Sequence, residues 1–235
     1  MTDIIAGADG CQAGWVVVQE RFPDGGLSWE VVPSISDLLR RPEPPSILAM
    51  DIPIGLPLLG PRACDLEARR LLGPRRGTSV FPAPIRAILD VESYTAASNA
   101  RRQAEGKGMS RQAWGIVPKI RDVDTFLQSQ PRNQSRVREI HPEVCFFFMA
   151  DRRPMESRKR RLVGRNERAA LLRAHFGDEV DSGLALQRSL GCASDDLLDA
   201  LAALWTARRI RAGTAVTHPA SPPRDSIGLR MEIVA

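Results

Sequence analysis

The sequence of 235 residues is poor in histidine, lysine and tyrosine, and its four cysteines lie far apart. It contains no Cys-x-x-Cys pair, and with three histidines no zinc-site spacing can be assembled. No apolar stretch approaches the roughly 18 residues that a membrane-spanning helix needs. The first residues also lack the basic and apolar regions of a signal peptide. We therefore expect a cytoplasmic protein without membrane association, with reduced and buried cysteines.

The composition is that of a globular protein with an excess of arginine. Hydrophobic residues make up 43% of the chain and charged residues 26%, and the length suffices to bury the core of one domain. The net charge is +5, and 30 of the 33 basic residues are arginine. Arginine suits phosphate recognition because its planar group can bond two oxygens, although codon bias in a GC-rich genome explains the excess equally well. Basic residues concentrate in 62–86 and 151–173, which fits either a polyanionic substrate or a solvated surface.

Carboxylates in three separate places are the most informative feature. Asp9 and Asp51 each end an apolar, strand-like run, while Asp196 and Asp199 begin a late helix. An acid at the end of a buried strand is costly to desolvate unless another group compensates its charge. A shared divalent cation would compensate all of these acids. Phosphodiester cleavage at two Mg²⁺ ions about 3.5–4 Å apart is the chemistry that most often uses such a cluster.

Structural explanations exist for several of these acids. Asp9 belongs to an Asp-Gly turn signal, and an acid such as Asp196 in a first helical turn complements the helix dipole. Asp199 is harder to explain, because it lies one turn further along and shares a helix face with Asp196. Strand alternation would place Glu139 and His141 on one face. Glu139 is then a candidate ligand, and His141 would either orient a water or a phosphate, or hydrogen-bond within the core.

The order of the elements predicts an α/β fold. Strands are predicted over 4–8, 15–19, 27–32, 47–51, 137–141 and 227–234. Helices are predicted over 61–72, 93–105, 110–128, 166–176 and 194–211. We expect a mixed sheet flanked by helices in a single domain over 1–235, with a mostly helical insertion at about 58–132. The stretch 151–165 is expected to be a loop.

The order and spacing of the acids resemble the ribonuclease H-like superfamily. Its members carry an Asp on the first strand, an acid at the end of a later central strand, and acids on a C-terminal helix. The segment 196–200 resembles the Asp-x-x-Asp-Ala signature of RuvC-type Holliday-junction resolvases. More closely, the chain is similar to the bacterial and archaeal family called domain of unknown function 429, whose members are predicted ribonuclease H-like nucleases. The segments that carry this similarity are 7–11, 51–57, 76–82, 112–114, 118–120, 139–143 and 195–200.

The resemblance implies a five-stranded ribonuclease H-like sheet and a nuclease that hydrolyses DNA or RNA with Mg²⁺ or Mn²⁺. Asp9 would bridge two metal ions, with Asp51 and one or both of Asp196 and Asp199 completing the ligands. The resolvases carry Glu where this chain has Asp51. Glu139 would be an additional catalytic acid. The expected substrate contacts are Arg75, Arg76, Lys119 and His141.

Other functions fit the same residues. A non-catalytic binding or scaffold protein would retain the fold and use the acids structurally. A phosphotransferase of the actin-like ATPase group also begins with an apolar strand, Gly and Asp, but this chain has one copy of the domain and no second Gly-rich loop. A small phosphorylated substrate is a further alternative if the helical insertion narrows the cleft. The apolar loop 55–59 fits either the core or the contact of a homodimer.

Overall fold

Five of the predicted strand segments pair into one mixed sheet in the computed structural model, which describes residues 3–235. The strands of this sheet are β1 (Asp3–Cys11), β2 (Gly14–Phe22), β3 (Leu27–Val32), β4 (Ile47–Met50) and β5 (Val137–Glu139). They lie in the order β3-β2-β1-β4-β5, and β1 is antiparallel to β2 but parallel to β4. Two short strands, β6 (Thr217–His218) and β7 (Ile233–Val234), form a separate antiparallel pair. The predicted α/β fold with a five-stranded mixed sheet is confirmed.

Helices cover both faces of this sheet. They are α1 (Ile35–Leu39), α2 (Ala63–Arg76), α3 (Tyr94–Glu105), α4 (Arg111–Gly115), α5 (Val117–Ser129), α6 (Pro142–Met149), α7 (Leu162–Phe176), α8 (Glu179–Ala185), α9 (Gln187–Leu190) and α10 (Ser194–Arg211). The segment 58–132 contains α2 to α5, and its status as an insertion in a single domain stays a prediction. Within residues 3–235, no helix combines the length and the apolar character that crossing a membrane requires.

Most predicted helices are present, but several ends differ. Helix α7 begins at Leu162, four residues before the predicted cap Asn166, so that prediction of the cap was wrong. Helix α10 is preceded by Ala193 as its N-cap residue. The strand predicted over 227–234 is confined to β7, because the Asp225 side chain accepts backbone hydrogen bonds from residues 227 and 229 and holds a turn there.

The sheet separates two apolar cores. One face buries Leu48 and Met50 of β4 against α1 and α5. The opposite face buries Ile5 of β1 and Ala49 of β4 against α6, α7 and α10. All four cysteines are buried and free, as expected from the sequence.

Helix α10 packs against β1 at backbone contact distance, and Gly7 makes this approach feasible. A Cβ atom at position 7 would lie less than 3.0 Å from three backbone atoms of α10, in Ala200, Ala203 and Leu204. Two of these residues, Ala200 and Ala203, have small side chains, which lets the helix lie close to the sheet. The close packing brings the first turns of α10 to the carboxyl ends of β1 and β4.

Replacing Gly7 with Ala should strongly destabilise the fold, because the added methyl group would meet backbone atoms that cannot rotate away. We expect the free energy of unfolding to fall by about 3 kcal/mol, measured by urea denaturation. Gly26→Ala is the matched control, since a Cβ at position 26 would meet no atom within 4 Å. Equal stability of the two variants would contradict this account of the α10 contact.

Candidate active site

Three of the predicted carboxylates lie together at the carboxyl ends of the central strands. Asp9 lies near the end of β1 and is 8% exposed. Asp51 directly follows β4, is half-buried, and donates its backbone N–H to the Ala8 carbonyl at 3.2 Å. Asp199 lies one turn inside α10 and is 1% exposed. Acids from three separate elements thus meet in one largely desolvated place.

Burial and mutual repulsion make these carboxylates difficult to ionise. Burial raises the pKa of Asp9 well above its ordinary value, and the charges of Asp51 and Asp199 raise it further. Burial also raises the pKa of Asp51, with His141 opposing the shift. For Asp199, burial raises the pKa to about 6. The site therefore favours any cation that can approach the three acids.

Lys159 supplies a positive charge at this site. Its ammonium Nζ donates a hydrogen bond to Oδ2 of Asp199. Burial acts to lower the pKa of Lys159, but attraction by Asp199 and Asp9 outweighs it and raises the pKa above its ordinary value. The other oxygen of Asp199, Oδ1, is buried and has no hydrogen-bond partner in the described part of the chain. Local sequence pattern did not select Lys159, although it is one of only three lysines in the chain.

Asp196 and Lys119 lie at the rim of the site. Asp196 is half-buried, and its carboxylate accepts a hydrogen bond from the backbone N–H of Ala193 at 2.9 Å. Burial raises its pKa, and the charge of Lys119 acts in the opposite direction. The Lys119 ammonium donates to the Gly14 carbonyl at 2.6 Å and lies 5.1 Å from the ring centre of Trp15. Lys119 is thus anchored beside Asp196, and its contact with a substrate phosphate stays a prediction.

Glu143 is a further acid that sequence reasoning did not assign, although it belongs to the segment 139–143 that carries the family resemblance. It lies in the first turn of α6 and is 6% exposed. Its charge raises the pKa of both Asp51 and Asp199. One of its oxygens pairs with Arg168, while Oε2 is buried without a hydrogen-bond partner among the described residues. Glu143 therefore lies next to the three acids as a partly neutralised neighbour.

Glu139 has different surroundings from those expected of a ligand shared with Asp9. Its two oxygens accept hydrogen bonds from Arg62 at 2.7 and 2.6 Å, and one of them also accepts the Ile54 N–H at 2.6 Å. Arg62 further pairs with Asp65 at 2.6 Å, and all three charged side chains are buried. The structure thus makes Glu139 part of a completed ion network and does not bring it to the other acids.

Strand alternation explains this position of Glu139. Glu139 lies opposite Met50 in the register of β4 and β5, so its side chain faces the core that holds Met50. Asp51 is the next residue along from Met50 and faces the opposite side, toward α10. His141 does not continue the strand, because β5 ends at Glu139 and His141 is the N-cap residue of α6. The predicted shared strand face of Glu139 and His141 was therefore wrong.

The other predicted contact residues lie around the site at different depths. His141 is half-buried, its Nε2 is 3.4 Å from the Ser79 carbonyl, and its charge favours ionised Asp51. Arg76 is buried and donates from Nε to the Met155 carbonyl at 2.7 Å. Arg75 is exposed and lies 4.0 Å from Glu156. Of the two arginines, only Arg75 is free to reach a substrate without rearrangement.

The carboxylate oxygens of the site are of the chemical type that binds a hard cation, but they lie too far apart to share one ion. Carboxylate oxygens are the ligands that Mg²⁺ prefers, and Asp199 Oδ1 and Glu143 Oε2 are buried without partners in the described structure. Within residues 3–235, no three His, Cys, Asp or Glu side chains lie close enough to share one ion. Metal binding would therefore require rotation of the Asp9, Asp51 or Asp199 side chains toward one another.

Breaking the Arg62 network should be costly. Arg62→Met would leave Glu139 and Asp65 buried without their compensating charge, and we expect the free energy of unfolding to fall by about 3–5 kcal/mol. Urea denaturation measures the loss. Arg70→Met is the control, because Arg70 lies exposed on α2, the helix that Arg62 directly precedes. A loss below 1 kcal/mol for Arg62→Met, or equal losses for both, would contradict the network.

Replacing Asp9 with Asn should stabilise the protein at neutral pH. The pKa of Asp9 in the folded state lies well above the ordinary value of 3.8. The folded state therefore binds the proton more tightly than the unfolded state does, and stability falls as pH rises between these two values. We expect Asp9→Asn to raise the free energy of unfolding by about 1–3 kcal/mol at pH 7.5, and by much less at pH 4.

Urea denaturation at both pH values, with a chelator present, measures this difference. Asp24→Asn is the control, because Asp24 is exposed and its charge is already solvated. An Asp9→Asn variant no more stable than wild type at pH 7.5 would show that the folded protein compensates the charge of Asp9.

Comparison with known proteins gives a match to one family model, described as a protein of unknown function (DUF429), over residues 7–224. No curated protein and no solved structure matches the sequence. The matched range includes Asp9, Asp51, Lys159 and Asp199, so the whole carboxylate site lies within it. The chain belongs to the DUF429 family.

Proposed function

We propose that this protein is a metal-dependent nuclease that hydrolyses phosphodiester bonds of nucleic acid at the carboxylate site. The observation that carries the proposal is the convergence of Asp9, Asp51 and Asp199 from three elements, with Asp199 Oδ1 buried and unpartnered within the described residues. Neutral side chains would satisfy the fold at lower cost, since each buried carboxylate resists ionisation. The presence of three such acids at one place favours a role in chemistry.

Asp9, Asp51 and Asp199 would hold Mg²⁺ or Mn²⁺, and Asp196 at the rim would complete the ligands. Such an ion, when bound, makes a water more acidic and neutralises charge that develops on a phosphate. The ionisation of Asp9 is opposed by three other acids of the site, Asp51, Asp199 and Asp196. The role of Asp9 as the shared ligand is therefore the first to examine.

The cationic side chains around the acids favour a polyanionic substrate. Lys119 is anchored beside Asp196, and Arg75 is exposed at the end of α2. Residues 158 and 160, which flank Lys159, are exposed arginines. Side chains of this kind position a nucleic-acid backbone through its phosphates without reading its sequence, so DNA and RNA both remain candidates. The order of the acids along the chain, which resembles that of ribonuclease H-like nucleases, supports the same substrate class.

A homodimer stays a separate prediction. Leu58 and Leu59 of the apolar loop are 65% and 63% exposed, and they border a groove with Pro223. This loop lies outside the carboxylate site. Dimerisation and catalysis can therefore be examined independently.

The proposal predicts nuclease activity that depends on Asp9. Single-stranded, duplex, hybrid and branched substrates are incubated with Mg²⁺ or Mn²⁺ and the full-length protein. Asp9→Asn should lower the cleavage rate at least about 100-fold, because losing a metal ligand removes several kcal/mol of transition-state stabilisation. Asp24→Asn, an exposed acid outside the site, should leave the rate unchanged.

The possible results distinguish the nuclease from the alternative functions. Cleavage by wild type and Asp24→Asn but not by Asp9→Asn would support the nuclease and name its substrate. Equal cleavage by the Asp9→Asn variant would place the activity elsewhere. No cleavage by any folded variant would overturn the nuclease and favour the scaffold or small-substrate alternatives, while metal-dependent ATP hydrolysis would favour the phosphotransferase.

A further inference from the structure

Lys159 reaches the carboxylates from a segment without regular secondary structure. Residues 151–161, called the lysine loop below, connect α6 to α7. From this loop, the Lys159 ammonium contacts Asp199 and is attracted by Asp9 and Asp51. A cation thus lies among the same three acids that would hold a metal ion.

Several interactions fix the lysine loop in this position. The Glu167 carboxylate accepts the backbone N–H groups of Glu156 and Ser157 at 2.7 and 3.0 Å. Arg168, which is 1% exposed, donates to the Ser157 carbonyl at 3.1 Å. The loop also buries the side chain of Met155, whose carbonyl accepts a hydrogen bond from a buried arginine of α2. Lys159 is therefore held at the site through the residues that directly precede it in the loop.

Position 159 holds a lysine in a chain that has 30 arginines and only three lysines, so an ammonium group rather than a guanidinium is informative there. An ammonium group is a compact point charge, whereas a guanidinium is a wide planar fork. Only the compact group resembles a small metal cation in size. Two of the three lysines, Lys119 and Lys159, lie next to the acids of this site.

The charges lead to the same conclusion. When ionised, Asp9, Asp51, Asp196 and Asp199 carry four negative charges, and Lys159 and Lys119 together neutralise two of them. The remaining two match a single divalent ion. A second divalent ion would leave this buried place with an excess of positive charge, which the low local dielectric makes costly. Glu143 does not change this balance, because Arg168 pairs with it.

We propose that the Lys159 ammonium takes the place of one of the two cations, so that the site binds a single divalent ion beside it. This inference rests on the proposed metal site. In catalysis, Lys159 would contact the substrate phosphate or the leaving oxygen from the side that a second ion would otherwise occupy. The protein would then act as a one-metal nuclease with a built-in second cation.

Metal stoichiometry tests this proposal without reference to activity. Full-length protein is titrated with Mn²⁺ by calorimetry, and electron paramagnetic resonance distinguishes isolated ions from spin-coupled pairs. Wild type should bind one ion with an uncoupled signal. Lys159→Met, which keeps the length of the side chain and removes its charge, should bind two ions. Lys107→Met, at an exposed lysine outside the site, should bind one.

The outcomes separate this inference from the proposed function. Two coupled ions in wild type, or one ion in both wild type and Lys159→Met, would overturn the role of Lys159 while the metal site stands. Absence of binding to folded wild type would overturn the metal site itself, and the inference with it. Should Lys159→Met fail to fold, the wild-type count decides.

Discussion

The contact between α10 and β1 brings the acids of the helix to the acids that end the central strands. Gly7 lets the helix backbone lie directly on the strand, so the first turns of α10 reach the point where β1 and β4 end. With a larger residue at position 7, the helix would be displaced and Asp199 would leave the two strand acids. The absence of a side chain at Gly7 therefore determines how closely Asp199 approaches the two strand acids, which lie far from it in the sequence.

The buried acids on the two faces of the sheet differ in how completely they are hydrogen-bonded. On one face, Arg62 joins Glu139 and Asp65 in a network in which both oxygens of each acid accept hydrogen bonds. On the other face, Asp199 keeps one oxygen without a partner among residues 3–235, and three acids share one lysine. A completed network makes the core rigid, whereas a buried oxygen without a partner is costly unless a further group binds it. This contrast distinguishes the structural acids from the candidate functional ones.

Sequence reasoning identified the sheet and the acids that end its strands because these depend on local pattern. Apolar runs with a terminal Asp identify β1 and β4, and parallel strands bring their carboxyl ends to one edge. The face of Glu139 depended on its register against Met50, which no local pattern contains. Lys159 was missed for a related reason: its loop has no periodicity, and its position depends on tertiary hydrogen bonds from α7. Its rarity in an arginine-rich chain was the one available signal.

The lysine loop is attached to the fold by side-chain hydrogen bonds rather than by a strand ladder or a helix. Segments of this kind exchange between closed and open states at a free energy below that of global unfolding. Amide protons of the loop would then exchange with solvent sooner than those of β1, β4 and α10. The cation of the site and its carboxylates consequently belong to units of different stability, and the acids can become accessible while the sheet stays intact.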